Sequence, residues 1–314
     1  MKQVLKSPYV LVLVLAAIVV VLPAFLPSNF YIRVAALVFI NALAVLGLNI
    51  LMGFAGQVSL GHAGFFGIGA YAVAVGPAHL GLPVWVALIG GTLLSGLLAF
   101  VVGRPILRLK GYYLAVATLG MGVLIAMVVS NESDLTGGPN GMPVSRLVLF
   151  GWRAAGPTTW YWISGITLVI GMWIAVSLIE SPTGRAFRAI HDSEVAARVL
   201  GVNVARYKLL AFVLSAVYAS IAGAFFVLFD GFATPDTASF LRSIEFVVMA
   251  VLGGLGSILG SVVGAAILVV LPQFLTVFHD YEHIMFGAII VVFLIFLPAG
   301  IVPMVQSLIG RRTS

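Results

Sequence analysis

Residues 181–208 read SPTGRAFRAIHDSEVAARVLGVNVARYK, and the placing of this stretch decides the fold. Outside the first few residues it is the longest segment that hydrocarbon would reject: Arg185, Arg188, Arg198, Arg206 and Lys208 lie in it with Asp192 and Glu194. Its pattern is that of short surface helices. Ser181 before Pro182 is a helix start, a capping hydroxyl followed by a residue of fixed φ. Ala186, Phe187, Ala189 and Ile190 then fall on one side, and Arg185, Arg188 and Asp192 on the other. Arg188 with Asp192, and Glu194 with Arg198, stand four apart, a spacing worth roughly 0.2–0.5 kcal/mol per exposed pair. Asp192 or Ser193 caps a second short helix to Leu200, Gly201 suits its left-handed end, and Asn203 caps the apolar run beyond.

On either side lie apolar runs long enough to cross a bilayer. The chain is 62% hydrophobic and 8% charged, against roughly 25% charged in a soluble domain, so lipid has to be its solvent. At ~20 apolar residues per crossing there is room for about eight to ten spans. The expectation is an all-α integral membrane protein: one transmembrane domain over 1–314, a polytopic bundle of about 9–10 transmembrane helices with glycine-interrupted segments. Spans are predicted at 9–26, 33–52, 84–102, 112–129, 160–179, 209–229 and 284–302. The first is too long for the apolar core of a cleaved signal peptide, and Pro23-Ala24-Phe25 is a poor cleavage site. Asn41 and Asn49, eight apart in the second, share a helix face and suit bonding between helices. Trp160, Tyr161 and Trp162 read as an interfacial belt. Residues 245–275, broken by GGLGS at 253–257, read as one long helix, a re-entrant pair or two short spans.

With the amino terminus in the cytoplasm and two crossings in 245–275, the cytoplasmic side holds Lys2, Lys6, Arg104, Arg108, Lys110, Arg185, Arg188, Arg198, Arg206, Lys208, Arg311 and Arg312. Arg33, Arg146, Arg153 and Arg242 fall outside, with Glu132, Asp134, Asp230, Asp236, Glu245, Asp280 and Glu282. That bias fits the positive-inside rule, puts both termini in the cytoplasm, and puts 181–208 there under either count of crossings.

GFAGQVSLGHAGFFGIGAYA, residues 53–72, carries glycines often three apart, mixed with Gln57, Ser59 and His62. Close helix packing is one reading. A broken helix exposing backbone to a substrate path is the other, since irregular backbone at membrane depth needs protein or a water-filled cavity to satisfy it. Gln57, Ser59, Gly61, His62 and Gly64 are the path candidates, with Ser257 from GGLGS. The glycine-rich segments 53–69 and 253–264 also read as a faint internal echo, the kind of repeat whose interface often holds a transport path.

Several chemistries are missing. No charged residue falls deep in a predicted span, which counts against proton or ion coupling. None of the lysines (Lys2, Lys6, Lys110, Lys208) follows glycine, so there is no Walker loop. There is no cysteine, and no metal, triad or paired-carboxylate constellation shares a predicted face. A self-sufficient facilitator or ion-driven carrier remains a different-class alternative.

Four blocks in order carry a resemblance: GFAGQVSLGHAGFFGIGAY, RLKGYYLAVATL (108–119), LTGGPNGMP, and SPTGRAFRAIHDSEVAARVLGVNVARYKLLAFVLSA. Together they resemble LivM-type permeases of branched-chain amino-acid ABC transporters, over about residues 40–300. Val123 departs from the pattern, standing where many relatives carry an acid. The resemblance implies a non-catalytic subunit of an inner-membrane importer for leucine, isoleucine, valine or similar amino acids, with urea, short amides or aromatic acids as alternatives within the family. The implied partners are a second, related permease in a heterodimer, two cytoplasmic ATPases that use ATP and Mg, and a periplasmic binding protein; nucleic acid is not among them, and no cofactor or metal is bound directly. It implies that residues 184–201 are a coupling helix, with Gly184, Arg185, Arg188, Ala189, Ile190, Glu194, Ala196, Ala197 and Gly201 at the ATPase contact.

Overall fold

The computed structural model describes residues 9–26, 28–149, 151–275, 282–297 and 299–305. The described chain is almost wholly helical. In order come α1 (Tyr9–Phe25), α2 (Asn29–Asn49), α3 (His62–His79), α4 (Val84–Ile106), α5 (Tyr112–Asn131), the single turn α6 (Ser133–Thr136) and α7 (Pro157–Glu180). After them come α8 (Pro182–Asp192), α9 (Glu194–Val199), α10 (Val204–Asp230), α11 (Phe240–Gly253), α12 (Ile258–Leu275) and α13 (Glu282–Phe296). Six are long and apolar enough to cross a membrane: α2 with its extension to Phe54, α4, α5, α7, α10 and α12. Their outer faces carry side chains such as Leu93, Leu124 and Trp173 in the open, as helices solvated by lipid do.

The bundle is built around α2, whose residues from Val38 to Met52 are almost all buried. Helices α7, α10, α11 and α12 all pack on it. The ends of the bundle are two distinct faces. One carries α8 and α9, the elbow between α7 and α10. The opposite face carries the Arg33–Asp230 ion pair (3.0 Å) and four short strands: β1 (Met142–Pro143), β2 (Val148–Leu149), β3 (Trp152–Arg153) and β4 (Phe232–Ala233), paired antiparallel as β1 with β4 and β2 with β3.

Residues 240–275 resolve into a hairpin. Gly254 (φ +113) and Gly256 (φ +76) turn the chain, and Gly253 then abuts Gly260 while Gly264 abuts the Met249 carbonyl, so α11 and α12 run antiparallel. Asn49 pins the turn: its amide donates to the Ser257 carbonyl and to Ser261 Oγ (2.8 Å each), and its Oδ1 accepts from the Gly256 N–H (2.9 Å). The bonding role expected for Asn49 is present, with every polar atom of a fully buried amide satisfied. At 14 residues and 1.5 Å each, α11 is about 21 Å long and cannot cross a ~30 Å hydrocarbon core.

Several expectations need correction. Trp160 and Tyr161 do not form an interfacial belt, because both are buried, with the Tyr161 hydroxyl donating to the Val19 carbonyl (2.8 Å). The last span ends at Phe296, because the chain then turns through Gly300 (φ +84) into a short helical segment at 301–305. The span predicted from 209 begins at Val204, with Asn203 as its cap. Lys2, Lys6, Arg311, Arg312 and Asp280, used in the orientation argument, lie outside the described residues.

Candidate functional site

Two places draw polar groups together: a layer at mid-depth in the bundle, and the elbow.

Depth follows from α2. Asn29–Phe54 is a helical run of 26 residues, about 39 Å at 1.5 Å per residue, and Asn41 lies about 18 Å along it. The run ends in a π-helical turn over Ile50–Phe54. The chain then reverses through Gly56 (φ +67) and climbs back inside the bundle without helical bonding until α3 starts at His62. His62 is wholly buried at mid-depth. Its Nε2 lies 2.7 Å from Ser215 Oγ, eleven residues or about 16 Å into α10. Ser215 already donates its hydroxyl hydrogen to the Phe212 carbonyl (2.8 Å) and so accepts from His62 Nε2–H, which leaves Nδ1 to Ser59 Oγ at 2.8 Å. The irregular segment is satisfied from neighbouring helices, as membrane depth requires. Leu60 N–H donates to Thr118 Oγ1 (3.1 Å), and Ala63 N–H, in the first turn of α3, donates to Ser243 Oγ of α11 (3.0 Å).

Gly61 is where the fit is closest. A Cβ there would lie 1.9 Å from the Thr118 carbonyl oxygen, so no side chain is compatible with this approach of segment to α5. Gly64 abuts Gly122 and Ile125 in the same seam. The packing reading of 53–72 therefore holds, and the helix is broken there with its backbone satisfied by neighbouring helices. Gln57 is buried, and neither its Oε1 nor its Nε2 has a partner. Ser257 is brought together with Asn49 at the α11–α12 turn rather than with His62.

A second broken entry has no glycine signature in the sequence. After α10, residues 231–239 run back into the bundle, with Ala238 against Gly67 of α3, and α11 begins at mid-depth. There Arg242 Nη2 donates to Asn41 Oδ1 (2.8 Å) and Nη1 to Glu245 Oε2 (2.7 Å). Its guanidinium carbon stands 5.0–5.3 Å from the rings of Phe66, Phe226 and Phe246. Arg242 and Glu245 are thus not outer-surface charges, and the expectation that no charge lies deep in the bundle is wrong at this pair. The signal was an Arg and a Glu three apart inside the otherwise apolar FLRSIEFVVMAVLG. Lys208 is a second buried cation, paired with Glu194 of α9.

At the elbow the capping pattern forms as expected: Ser181 Oγ accepts from Thr183 N–H, Ser193 Oγ from Ala196 N–H, Asn203 Oδ1 from Arg206 N–H, and Gly201 is left-handed. The charge pairs differ. Arg188 reaches back to Glu180 (3.7 Å) and the Ile179 carbonyl (3.1 Å), and Glu194 turns to Lys208 and Lys110 (3.8 Å) rather than Arg198. Burial of Ile190, Ala197 and Val204 in a small core of their own fixes α9 over the start of α10, and the acid follows the buried ammonium. Of the candidate coupling residues, Gly184, Ile190 and Ala197 face inward, Ala189 and Glu194 are half-buried, and Arg185, Arg188, Ala196 and Gly201 are exposed. Sequence reasoning missed Val195, Val199 and Leu200, apolar side chains 64–83% exposed on α9 and its C-cap. A 660 Å³ cavity beside them, between α4, α9 and α10, is lined by Arg104, Arg108, Lys110, Arg198 and Arg206.

A bundle of long apolar helices, with two others interrupted at mid-depth and a helical elbow at one end, is the make-up of a membrane transport permease. Residues 30–294 match the family model described as branched-chain amino acid transport system / permease component, and the chain belongs to that family, as a permease of the ABC-importer class. It is 33% identical over 306 residues to the high-affinity branched-chain amino acid transport system permease protein LivM of Escherichia coli, covering 90% of this chain and 72% of that one. It is also 26% identical to the LivH permease of Salmonella typhimurium (83% of this chain, 90% of that one) and 29% identical to the ribose import permease of Escherichia coli (84% and 83%). No solved structure matches the chain.

Proposed function

We propose that this chain, as a single permease domain, is the non-catalytic membrane subunit of a bacterial inner-membrane importer of branched-chain or similar hydrophobic amino acids. Energy enters through the elbow, which faces the cytoplasm together with both termini. The observation that carries the coupling role is the exposed apolar triplet Val195, Val199 and Leu200 on a helix fastened to the bundle by a buried ion pair. Exposed apolar side chains at a capped, rigid elbow suit a cleft in a partner better than they suit water. That partner is one of two ATPases that bind ATP and Mg. Gly184, Ile190 and Ala197 hold the elbow's shape, while Arg185, Arg188, Ala196 and Gly201 stand at its surface with the triplet.

A second, related permease completes the membrane unit, in line with the similarity to both LivM and LivH, and a periplasmic binding protein delivers the substrate. Gln57, Ser59, Gly61, His62, Gly64 and Ser257 belong to the segments that the path runs beside; the seams at Gly61 and Gly64 are closed here. The test is co-expression with the candidate ATPases, second permease and binding protein. ATP-dependent leucine uptake into proteoliposomes is expected, and Val199→Asp combined with Leu200→Asp should abolish ATPase retention while the permease pair still forms. Uptake by the lone chain without ATP would instead establish a facilitator. ATPase retention unchanged by the double substitution would remove α9 from the interface.

A further inference from the structure

The Arg242–Glu245 pair stands at a depth where a lipid-facing charge is costly, and yet it is open. The Glu245 side chain is 44% exposed, Leu241 beside it is 70% exposed, and Arg242 is 18% exposed. Asn41, Arg242's other partner, marks the middle of α2. A carboxylate exposed below the membrane surface is tolerated when it meets a cavity, water or protein. The cavity is present: 360 Å³ between the end of α10, residues 234–239 and the start of α11, lined by Asp230, Thr234, Asp236, Ser239, Arg242 and Glu245. It runs from the face carrying the Arg33–Asp230 pair down to the guanidinium.

We propose that this cavity is the part of the path that takes the charged end of a zwitterionic α-amino acid, and that the second permease closes over its open side. The inference rests on the importer reading above. Arg242 offers a fork of five N–H donors, of which two are directed at Asn41 and Glu245, and a fork of this shape matches a carboxylate. The rings of Phe66, Phe226 and Phe246 and the bond to Asn41 hold it there without a ligand. Glu245 and Asp236 supply the opposite charge for an ammonium, and Thr234 and Ser239 supply hydroxyls. Such a site has no use for a ligand lacking either charge. Leu241 then lines the cavity, and the exposed apolar side chain of Ile244 meets the second permease rather than lipid.

Two measurements on the reconstituted complex test this. The chain has no cysteine, so a single Leu241→Cys is read on this subunit without background once the subunits are separated on a gel. A charged, membrane-impermeant methanethiosulfonate should modify it at least about tenfold faster than Leu93→Cys, an exposed residue midway along α4. Equal, slow modification of the two would mean that the cavity holds no water in the complex, and would overturn the proposal. Glu245→Gln should lower leucine uptake by about tenfold or more, while binding-protein-stimulated ATP hydrolysis and recovery of the complex stay within about twofold. Uptake within twofold of the unmodified complex would overturn it, as would parallel loss of assembly and hydrolysis, which marks a structural pair. If the unmodified complex takes up no leucine, the importer reading fails on its own, and the labelling still reports whether the cavity is aqueous.

Discussion

Glu194→Gln is the perturbation with the most to say about the elbow. Lys208 is 4% exposed and its ammonium meets Glu194, whose own side chain is 24% exposed. Breaking a fully buried ion pair by removing one partner costs ~3–5 kcal/mol, because the remaining charge is stranded. Partial exposure of Glu194 reduces this to about 2–3 kcal/mol here. The loss is local, since Ile190, Ala197 and Val204 form a small core separate from that of the bundle. It should therefore appear as opening of α9 and the first turn of α10 rather than as global unfolding. At 1.4 kcal/mol per factor of ten, amides 197–208 should exchange about 30- to 140-fold faster, with those of α2 unchanged. The reverse deletion is milder. Lys208→Met leaves Glu194 near Lys110 at 3.8 Å and in contact with water, and should cost under about 1 kcal/mol. Exchange by amide hydrogen–deuterium mass spectrometry in detergent reads both variants. Protection in Glu194→Gln within threefold of the parent, or equal effects of the two, would refute the claim that the buried ammonium fixes α9.

Asn49→Leu removes the amide that closes the α11–α12 turn, strands Ser261 Oγ and the Gly256 N–H, and leaves the Ser257 carbonyl only the Ser261 N–H (3.3 Å); a loss of about 2–4 kcal/mol is expected, read as a lower detergent melting temperature and faster exchange over 254–261. Gly61→Ala places a methyl 1.9 Å from the Thr118 carbonyl and should force α3 and α5 apart, lowering yield and melting temperature, whereas Ala at Gly120, which has nothing within 4 Å, should be silent. Ser181→Ala removes the cap of α8 and should cost about 1 kcal/mol, seen as roughly fivefold faster exchange of its first turn.

What the sequence carried was what local chemistry decides. Spans follow from apolar length, and the elbow's caps follow from Ser181, Ser193 and Asn203, each bonding an N–H two or three residues on. The break before His62 was visible because close backbone approach demands glycine. The break at 231–239 was not, because its backbone is satisfied by strand pairing at Phe232–Ala233 and by the Thr237 hydroxyl on the Thr234 carbonyl, which look like any loop. Arg242 was misplaced for a related reason. A charge beside a loop reads as a surface charge until tertiary contacts, here Asn41 some two hundred residues away, set its depth. The ion pairs of the elbow failed likewise, since spacing along a helix cannot foresee a buried lysine from the next one.

The two polar centres are not independent. Gly56, where the chain leaves the π-helical end of α2, lies so close to α8 that a Cβ on it would stand 3.1 Å from His191 Cα. From Gly56 only the five non-helical residues 57–61 separate α8 from His62, and Gly61 is locked against α5 at the other end. So short a segment has little slack, and a shift of α8 acts on a tether whose far end is the start of α3 at mid-depth. The start of α3 is in turn bonded to Ser215 of α10 and Ser243 of α11, one residue from Arg242. Interiors packed this closely respond by switching between arrangements rather than by stretching. The elbow is thus joined, through contacts all present in the chain, to the helix start that carries the deep charge pair.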